Sequence, residues 1–282
     1  MSLSTIELPR AGAVPPKALR QVQSAMKRDG AVVLDGLFPP ALLKKLSAEV
    51  RRRHGSGQLR ERGLVRDIAG RYAAVLPFEG PFLDSRFYAN PALHKMLAAL
   101  LGSDYRISSL ETVIASPGAY EQHQHIDGPI RFDVSLGKSK KAYHGDLSGL
   151  PPYAVTLCVP LCDVAEDNGP TAIWAGSHRT ALNAKPPSEA CIRRDYREEH
   201  VVGRLGRAFF FDYRVFHCGM PNMTPEVRPV LMFVFTRAWF RDQNLCDVYP
   251  RVVISKRNLS RVPRRYKDLF LLAPSSRRPL WD

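Results

Sequence analysis

Residues 121 to 129 read EQHQHIDGP, with His123, His125, Glu121 and Asp127 crowded ahead of a glycine and a proline. In an extended strand positions i and i+2 project to the same face. His125 and Asp127 can therefore share one cation while Ile126 points away into a core. Such a His-x-Asp triplet is common enough by chance that it carries little weight alone, and two ligands do not close a site. A third candidate is His217, in FFFDYRVFHCGMPN, where an aromatic strand-like run ends and a turn follows. Two histidines and one carboxylate on one face of an ion leave open positions for dioxygen and a bidentate cosubstrate, the arrangement of non-haem Fe(II) oxygenases. Zinc would more often take histidine and cysteine, and Cys218 points the wrong way if His217 points inward. Iron is the better fit.

Arg228 opens the run RPVLMFVFT. If Val230 and Met232 face a barrel interior, strand alternation turns the Arg228 guanidinium inward with them. A buried guanidinium demands an anion, its planar fork suits a carboxylate, and no neighbouring strand residue offers one. A bound acid ligand is expected there.

These residues need elements to hold them. The spacing predicts a helix over PKALRQVQSAMKRDG with a glycine stop at Gly30, a strand over AVVLDGLF, a helix over PPALLKKLSAEVRRR and a further helix over NPALHKMLAALLG. Residues 1 to 16 read as a loose arm, and 60 to 90 as short polar pieces. From 105 to 240 come β-branched or aromatic runs (YRISSLETVIAS, YAVTLCVPLC, TAIWAG, RAFFFDYRVFH, RPVLMFVFTRAWF) divided by turn residues, the spacing of an antiparallel sandwich or barrel. The polar stretch 129 to 152 reads as a long loop of the kind that is often functional.

Four blocks, KRDGAVVLDGLFPPALLKKL, PGAYEQHQHID, DNGPTAIWAGSHR and HCGMPNMTPEVRP, stand in the order and spacing seen in a known family. The chain resembles the phytanoyl-CoA dioxygenase family of Fe(II)- and 2-oxoglutarate-dependent oxygenases. The resemblance implies a mainly β fold with flanking helices, a double-stranded β-helix (jelly roll, cupin-like), in one oxygenase domain over 1 to 282. Residues 1 to 104 would support the core, 105 to 240 would form it, and 241 to 282 would be a basic C-terminal segment. It also implies Fe(II) held by His125, Asp127 and His217, with 2-oxoglutarate and O2 as cosubstrates. Arg228 would bind the distal carboxylate, and Gln122 and Thr171 match positions that often touch this cosubstrate. Many members carry Ser two residues after the second histidine, where this chain has Gly219; Thr224 or Tyr213 could substitute. Halogenating relatives have a small residue where Asp127 stands, which favours oxygenation here.

The implied activity is hydroxylation of an unactivated C–H bond in a small molecule, with succinate and carbon dioxide released. Segments 60 to 80 and 129 to 152 are the expected pocket walls. The formal charge is +14, and nine Lys or Arg against two Asp over 251 to 282 supply a surplus of seven, half of it. This balance, with Arg131, Lys138, Lys140 and Lys141, admits an anionic substrate, though a solvated basic tail explains it nearly as well. A nucleic-acid demethylase with the same iron chemistry, and a barrel that binds without turnover, are the competing readings. His123 is expected to line a gate or face solvent, His178 to be structural, Trp174 to pack in a core, and the second triplet, His144 and Asp146, to be a chance occurrence. Five cysteines without a CxxC pair argue against a disulfide framework or zinc ribbon. No apolar run long enough to span a membrane and no secretory leader is readable, so a cytoplasmic protein is the expectation.

Overall fold

The computed structural model describes residues 2–9, 14–58, 65–68, 70–128, 149–180, 188–241 and 251–274. Among the described residues four α-helices precede residue 102. α1 (Pro16–Asp29) begins with a proline in its first turn and buries Ala18, Val22, Ala25 and Met26. It stops at Gly30, whose φ of 71° lies in the left-handed region; a Cβ there would stand 2.5 Å from His178 Nδ1. α2 (Pro40–Gly55) buries Leu42, Leu43, Leu46 and Val50. After the short α3 (Ser85–Tyr88), the Asn90 side chain caps α4 (Pro91–Leu101) by accepting from Ala92 N and Leu93 N. Its buried face is Leu93, Met96, Leu97, Leu100 and Leu101, as the helical spacing predicts.

Eleven strands follow the chain among the described residues: β1 (Thr5–Glu7), β2 (Ala31–Asp35), β3 (Val65–Ile68), β4 (Arg71–Val75), β5 (Tyr105–Ala115), β6 (Ala154–Pro160), β7 (Thr171–Ala175), β8 (Arg197–Val201), β9 (Ala208–Asp212), β10 (His217–Gly219) and β11 (Arg228–Arg237). Eight of them form one sheet in the order β1-β2-β9-β6-β11-β5-β4-β3, and β10-β7-β8 form a second. Two packed sheets of largely antiparallel strands are the jelly roll expected of the sequence. One face of the large sheet buries Leu110, Leu157, Phe210, Leu231 and Phe233 against the helices. Its other face meets the small sheet through Val33, Phe209, Phe211, Ile173 and Val230. Ala172, Trp174, Ile192 and Phe216 cover the small sheet from outside.

Three parts depart from the sequence reading. The supposed loose arm contributes β1, which pairs in parallel with β2 because burying Ile6 rewards the extra rung. The supposed polar pieces after residue 60 contain β4, whose five residues are all buried, so the large sheet reaches well beyond 105 to 240. The basic end is no simple solvated tail. Over 251–274 it forms α6 (Lys256–Arg261), after α5 (Glu189–Asp195), and it buries Val252, Ile254, Leu269 and Phe270 in the helical core. Most of the stretch expected to be a loop, residues 129–148 with Arg131, Lys138, Lys140, Lys141, His144 and Asp146, lies outside the described residues, as does Cys246. Among the described residues no helix is long and apolar enough to cross a membrane.

Candidate metal and cosubstrate site

The site forms where a turn delivers β10. Asp212 and Arg214, both fully buried, close that turn with a 2.7 Å ion pair, and Arg214 N also donates to Asp212 Oδ1 at 3.0 Å. His217 then bonds back to back with His125. His217 N donates to His125 O at 2.9 Å, and His125 N donates to His217 O at 3.1 Å. Two segments 92 residues apart are thereby joined by an antiparallel bridge.

The two imidazoles are oriented alike. His125 Nδ1 lies 2.9 Å from His123 O, and His217 Nδ1 lies 3.0 Å from Val215 O. A carbonyl only accepts, so each Nδ1 carries the hydrogen and each Nε2 keeps its lone pair for a ligand. Asp127 N donates to Tyr213 O at 3.0 Å, and the Thr156 hydroxyl donates to Asp127 Oδ2 at 3.0 Å. This leaves Asp127 Oδ1 turned to His217 Nε2, 3.6 Å away. One ligand atom from each of His125, Asp127 and His217 lies within 4.8 Å of the others, close enough for one cation to bridge. Burial, reinforced by the neighbouring His217, pushes the His125 imidazole down to about 4, so it is neutral near pH 7, the state a metal ligand needs. Ile126 packs behind the small sheet, as strand alternation predicts. Cys218 packs there too and is not among the donor atoms, so the set is nitrogen and oxygen, which suits Fe(II).

These ligands open on a cavity of about 510 Å³. Val230, Met232 and Val234 of β11 line it together with Arg228, as inferred from alternation. Arg228 is buried, its Nε has no hydrogen-bond partner, and among the described residues no carboxylate pairs with it. Burial pushes its pKa down. A guanidinium in this condition is an anion slot. A larger groove of about 650 Å³ runs past Lys45, Glu49 and Arg52 on α2. Its charged side chains are exposed or paired, and the chemistry lies in the smaller cavity.

Gln122 and Thr171 both line the cavity. Gln122 Oε1 accepts from Gly219 N at 2.9 Å, so its amide nitrogen is the end that can reach a ligand. Gly219 is explained by a residue that the sequence reading passed over. A Cβ at position 219 would come within 2.6 Å of Arg71 Nε and 2.8 Å of Gln122 Oε1. Arg71 fills the place expected of a serine hydroxyl, and its guanidinium donates to the backbone oxygens of Tyr120 and Met220. It ties the segment carrying His125 to the one following His217. Burial, then the charge of Arg228, lowers its pKa to about 10. Of the two proposed substitutes, Tyr213 lines the cavity, whereas Thr224 is held in the following turn by Asn222 Oδ1 at 2.8 Å. Thr224 does not fill the role, because its hydroxyl is engaged outside the cavity.

His123 is exposed at the cavity edge, His178 is buried against Gly30, and Trp174 is buried behind the small sheet, each as expected. Besides Arg71, the sequence reading missed Thr156, Ser109, Glu111 and Arg251. For Arg71, Ser109, Glu111 and Thr156 the available signal was a polar residue on the inward rungs of an apolar strand, in RYAAV, SSLETVI and AVTLCVP, whereas Arg251 lies in none of these runs.

The comparisons agree with this geometry. The family described as Phytanoyl-CoA dioxygenase (PhyH) matches residues 26–230. Dioxygenase trt7 of Aspergillus terreus is 24% identical over 249 residues, covering 85% of this chain and 81% of the relative. Ectoine dioxygenase of Nocardia farcinica is 26% identical over 246 residues, covering 75% and 76%. Among solved structures, EctD from S. alaskensis with 2-oxoglutarate and 5-hydroxyectoine superposes with a TM-score of 0.62 at 21% identity, over 83% of this chain and 80% of that one. The epimerase SnoN from nogalamycin biosynthesis gives 0.60 at 20% identity, over 82% and 88%. With the family matched across most of its length, the chain belongs to the phytanoyl-CoA dioxygenase (PhyH) family of Fe(II)/2-oxoglutarate-dependent dioxygenases.

Proposed function

We propose that this dioxygenase hydroxylates an unactivated C–H bond of a small, largely apolar molecule. In this reading His125, Asp127 and His217 hold Fe(II), and Arg228 takes the distal carboxylate of 2-oxoglutarate. The single observation that carries the reading is the buried, unpartnered Arg228 in the same cavity as three converging ligand atoms. The residues fit these groups, since the donors are two imidazole nitrogens and a carboxylate and the anion slot is already desolvated.

When bound, the metal and cosubstrate supply oxidation of a C–H bond by dioxygen, with 2-oxoglutarate leaving as succinate and carbon dioxide. The chain's own part is positional. His123 O and Val215 O fix the imidazoles, Thr156 fixes the carboxylate, and Arg228 fixes the cosubstrate's far end. Gln122 and Thr171 flank it, and Arg71 locks the two ligand-bearing segments together. Ala73, Val113, Val230, Met232 and Val234 give an apolar wall that excludes water and suits a hydrocarbon surface.

A stacking site for a nucleobase would need aromatic faces. Among the described lining residues Tyr213 is the one phenyl-bearing side chain, which supports a small-molecule substrate. A cytoplasmic location accompanies the proposal, and Cys158, Cys162, Cys191 and Cys218, all unpaired thiols, fit a reducing compartment. The test is to add Fe(II) and then 2-oxoglutarate without oxygen. A weak visible charge-transfer band should appear, and oxygen-dependent succinate release should follow across a metabolite panel. A chain that gives neither is a binding protein and not an oxygenase.

A further inference from the structure

The end of the cavity remote from Arg228 holds three polar side chains that neither iron nor cosubstrate requires. The ladder between β11 and β5 pairs Arg228 with Ala115, Val230 with Val113, Met232 with Glu111 and Val234 with Ser109. At about 3.3 Å per strand residue, Glu111 and Ser109 stand about 13 and 20 Å along the ladder from the Arg228 rung. A five-carbon diacid anchored at Arg228 does not extend that far.

Ser109 faces the cavity with Glu111 and Val113 by alternation along β5, and an irregularity ends that run beyond it. The pairing slips after Val234, so that Phe235 opposes Ile107 and Ser108 is left over. The extra residue turns the strand. Ile107 sits in the helical core, whereas Ser109, which unbroken alternation would put on the same side, lines the cavity. Its side chain is fully buried and its hydroxyl has no hydrogen-bond partner. Buried hydroxyls find partners as a rule, and this one has none among the described residues.

Two positions along, Glu111 is buried on the same face. Its Oε1 takes both Arg251 Nε at 2.9 Å and Arg251 Nη2 at 2.8 Å, so the carboxylate is fixed by a residue from the C-terminal segment. The charge balance selects among occupants. Around the cavity three guanidinium groups (Arg71, Arg228, Arg251) face two carboxylates (Glu111, Asp127). The two positive charges of Fe(II) and the two negative charges of 2-oxoglutarate cancel. A cationic occupant meets a net positive cavity, and an anionic one meets Glu111.

Resting on the dioxygenase reading above, we propose that Ser109 and Glu111, the latter held by Arg251, form the substrate subsite, and that it binds an uncharged hydroxyl on a compact, otherwise apolar molecule. The hydroxyl donates to Glu111 and accepts from Ser109, and this pair of bonds sets which carbon faces the metal ligands.

Three probes with one hydrocarbon cage test it: 1-adamantanol, 1-adamantylamine and adamantane-1-carboxylate. Each is titrated without oxygen into the protein loaded with Fe(II) and 2-oxoglutarate, and dissociation constants are read from the perturbation of the visible band. The alcohol should bind at least about tenfold more tightly than either charged probe. Ser109→Ala should weaken the alcohol about fivefold, the loss of one net hydrogen bond, and leave the other two unmoved. If Ser109→Ala does not fold, Glu111→Gln answers the same question. An alcohol bound no better than the charged probes, no binding by any of them, or wild-type alcohol affinity in the folded variant overturns the subsite. Failure of the underlying reading shows separately, as a wild-type protein that gives no band before any probe is added.

Discussion

His125 and His217 exchange backbone hydrogen bonds at 3.1 and 2.9 Å, and the same rung places their ring centroids 4.4 Å apart. The register of the sheet and the spacing of two proposed ligands are therefore one geometric fact. His125→Ala, His217→Ala and Asp127→Ala should each abolish the anaerobic band and reduce succinate release to background. Thr156→Val, which leaves the ligands in place but frees Asp127 Oδ2, should weaken Fe(II) binding by about tenfold to a hundredfold. Metal titration of the four variants checks both, and normal iron affinity in Thr156→Val would remove Thr156 from the site.

Arg228 is a buried cation with an unpartnered Nε. Taking an unpaired buried charge out of the fold removes its desolvation cost, and an apolar residue of similar length fills the same space. Arg228→Met should accordingly melt no lower than wild type without cosubstrate, yet lose the rise in Tm that 2-oxoglutarate gives the wild-type protein. A 2-oxoglutarate-induced rise that survives in Arg228→Met would place the anchor elsewhere.

Gly219 is required by its neighbours and not by its backbone conformation. Gly219→Ala should destabilise the fold by about 1–3 kcal/mol, because the added methyl meets Arg71 Nε, which two backbone carbonyls hold in place. The double variant Arg71→Ala, Gly219→Ser should relieve that collision. Chemical denaturation measures both, and equal losses in the single and double variants would show that the collision is not the cause.

His94 is half-buried between Tyr105 Oη at 2.6 Å and Tyr88 O at 2.9 Å, and desolvation lowers its pKa. Below about pH 6.5 the unfolded chain takes up a proton at this position that the folded chain resists, so stability falls as pH drops from there toward the folded value. Above pH 7 the contribution is complete. Burial lowers His178 in the same sense. Glu49, held down to about 2 mainly by Arg52, loses its contribution only below about pH 4.5, outside this window. His94→Gln should flatten part of the decline in urea midpoint between pH 7 and 5, with the remainder left to His178 and to His125, which burial also pushes down. An unchanged slope would contradict the assignment.

Much of this was legible in the sequence because the strongest signals are local. Alternation put His125 opposite Ile126 and turned Arg228 inward with Val230 and Met232, and both hold. Helical spacing gave the buried face of α4 residue by residue. What escaped was decided by distant partners. β1 has only Ile6 to mark it, and its existence depends on an edge offered by β2. Arg71 looks like an unremarkable charge until Gly219, far along the chain, leaves room for it. Ser109, Glu111 and Val113 share a face by alternation, but which face of β5 meets the cavity is set by its pairing with β11.

Arg251 reaches the cavity from a stretch that is otherwise rooted among the helices through Val252, Ile254 and Phe270, far from the rung that joins His125 to His217. The proposed metal ligands and the residue that fixes Glu111 in the proposed subsite thus lie on separate parts of the polymer. A lineage could drift toward new metabolites by rewriting its final residues while the inorganic chemistry stayed as it was.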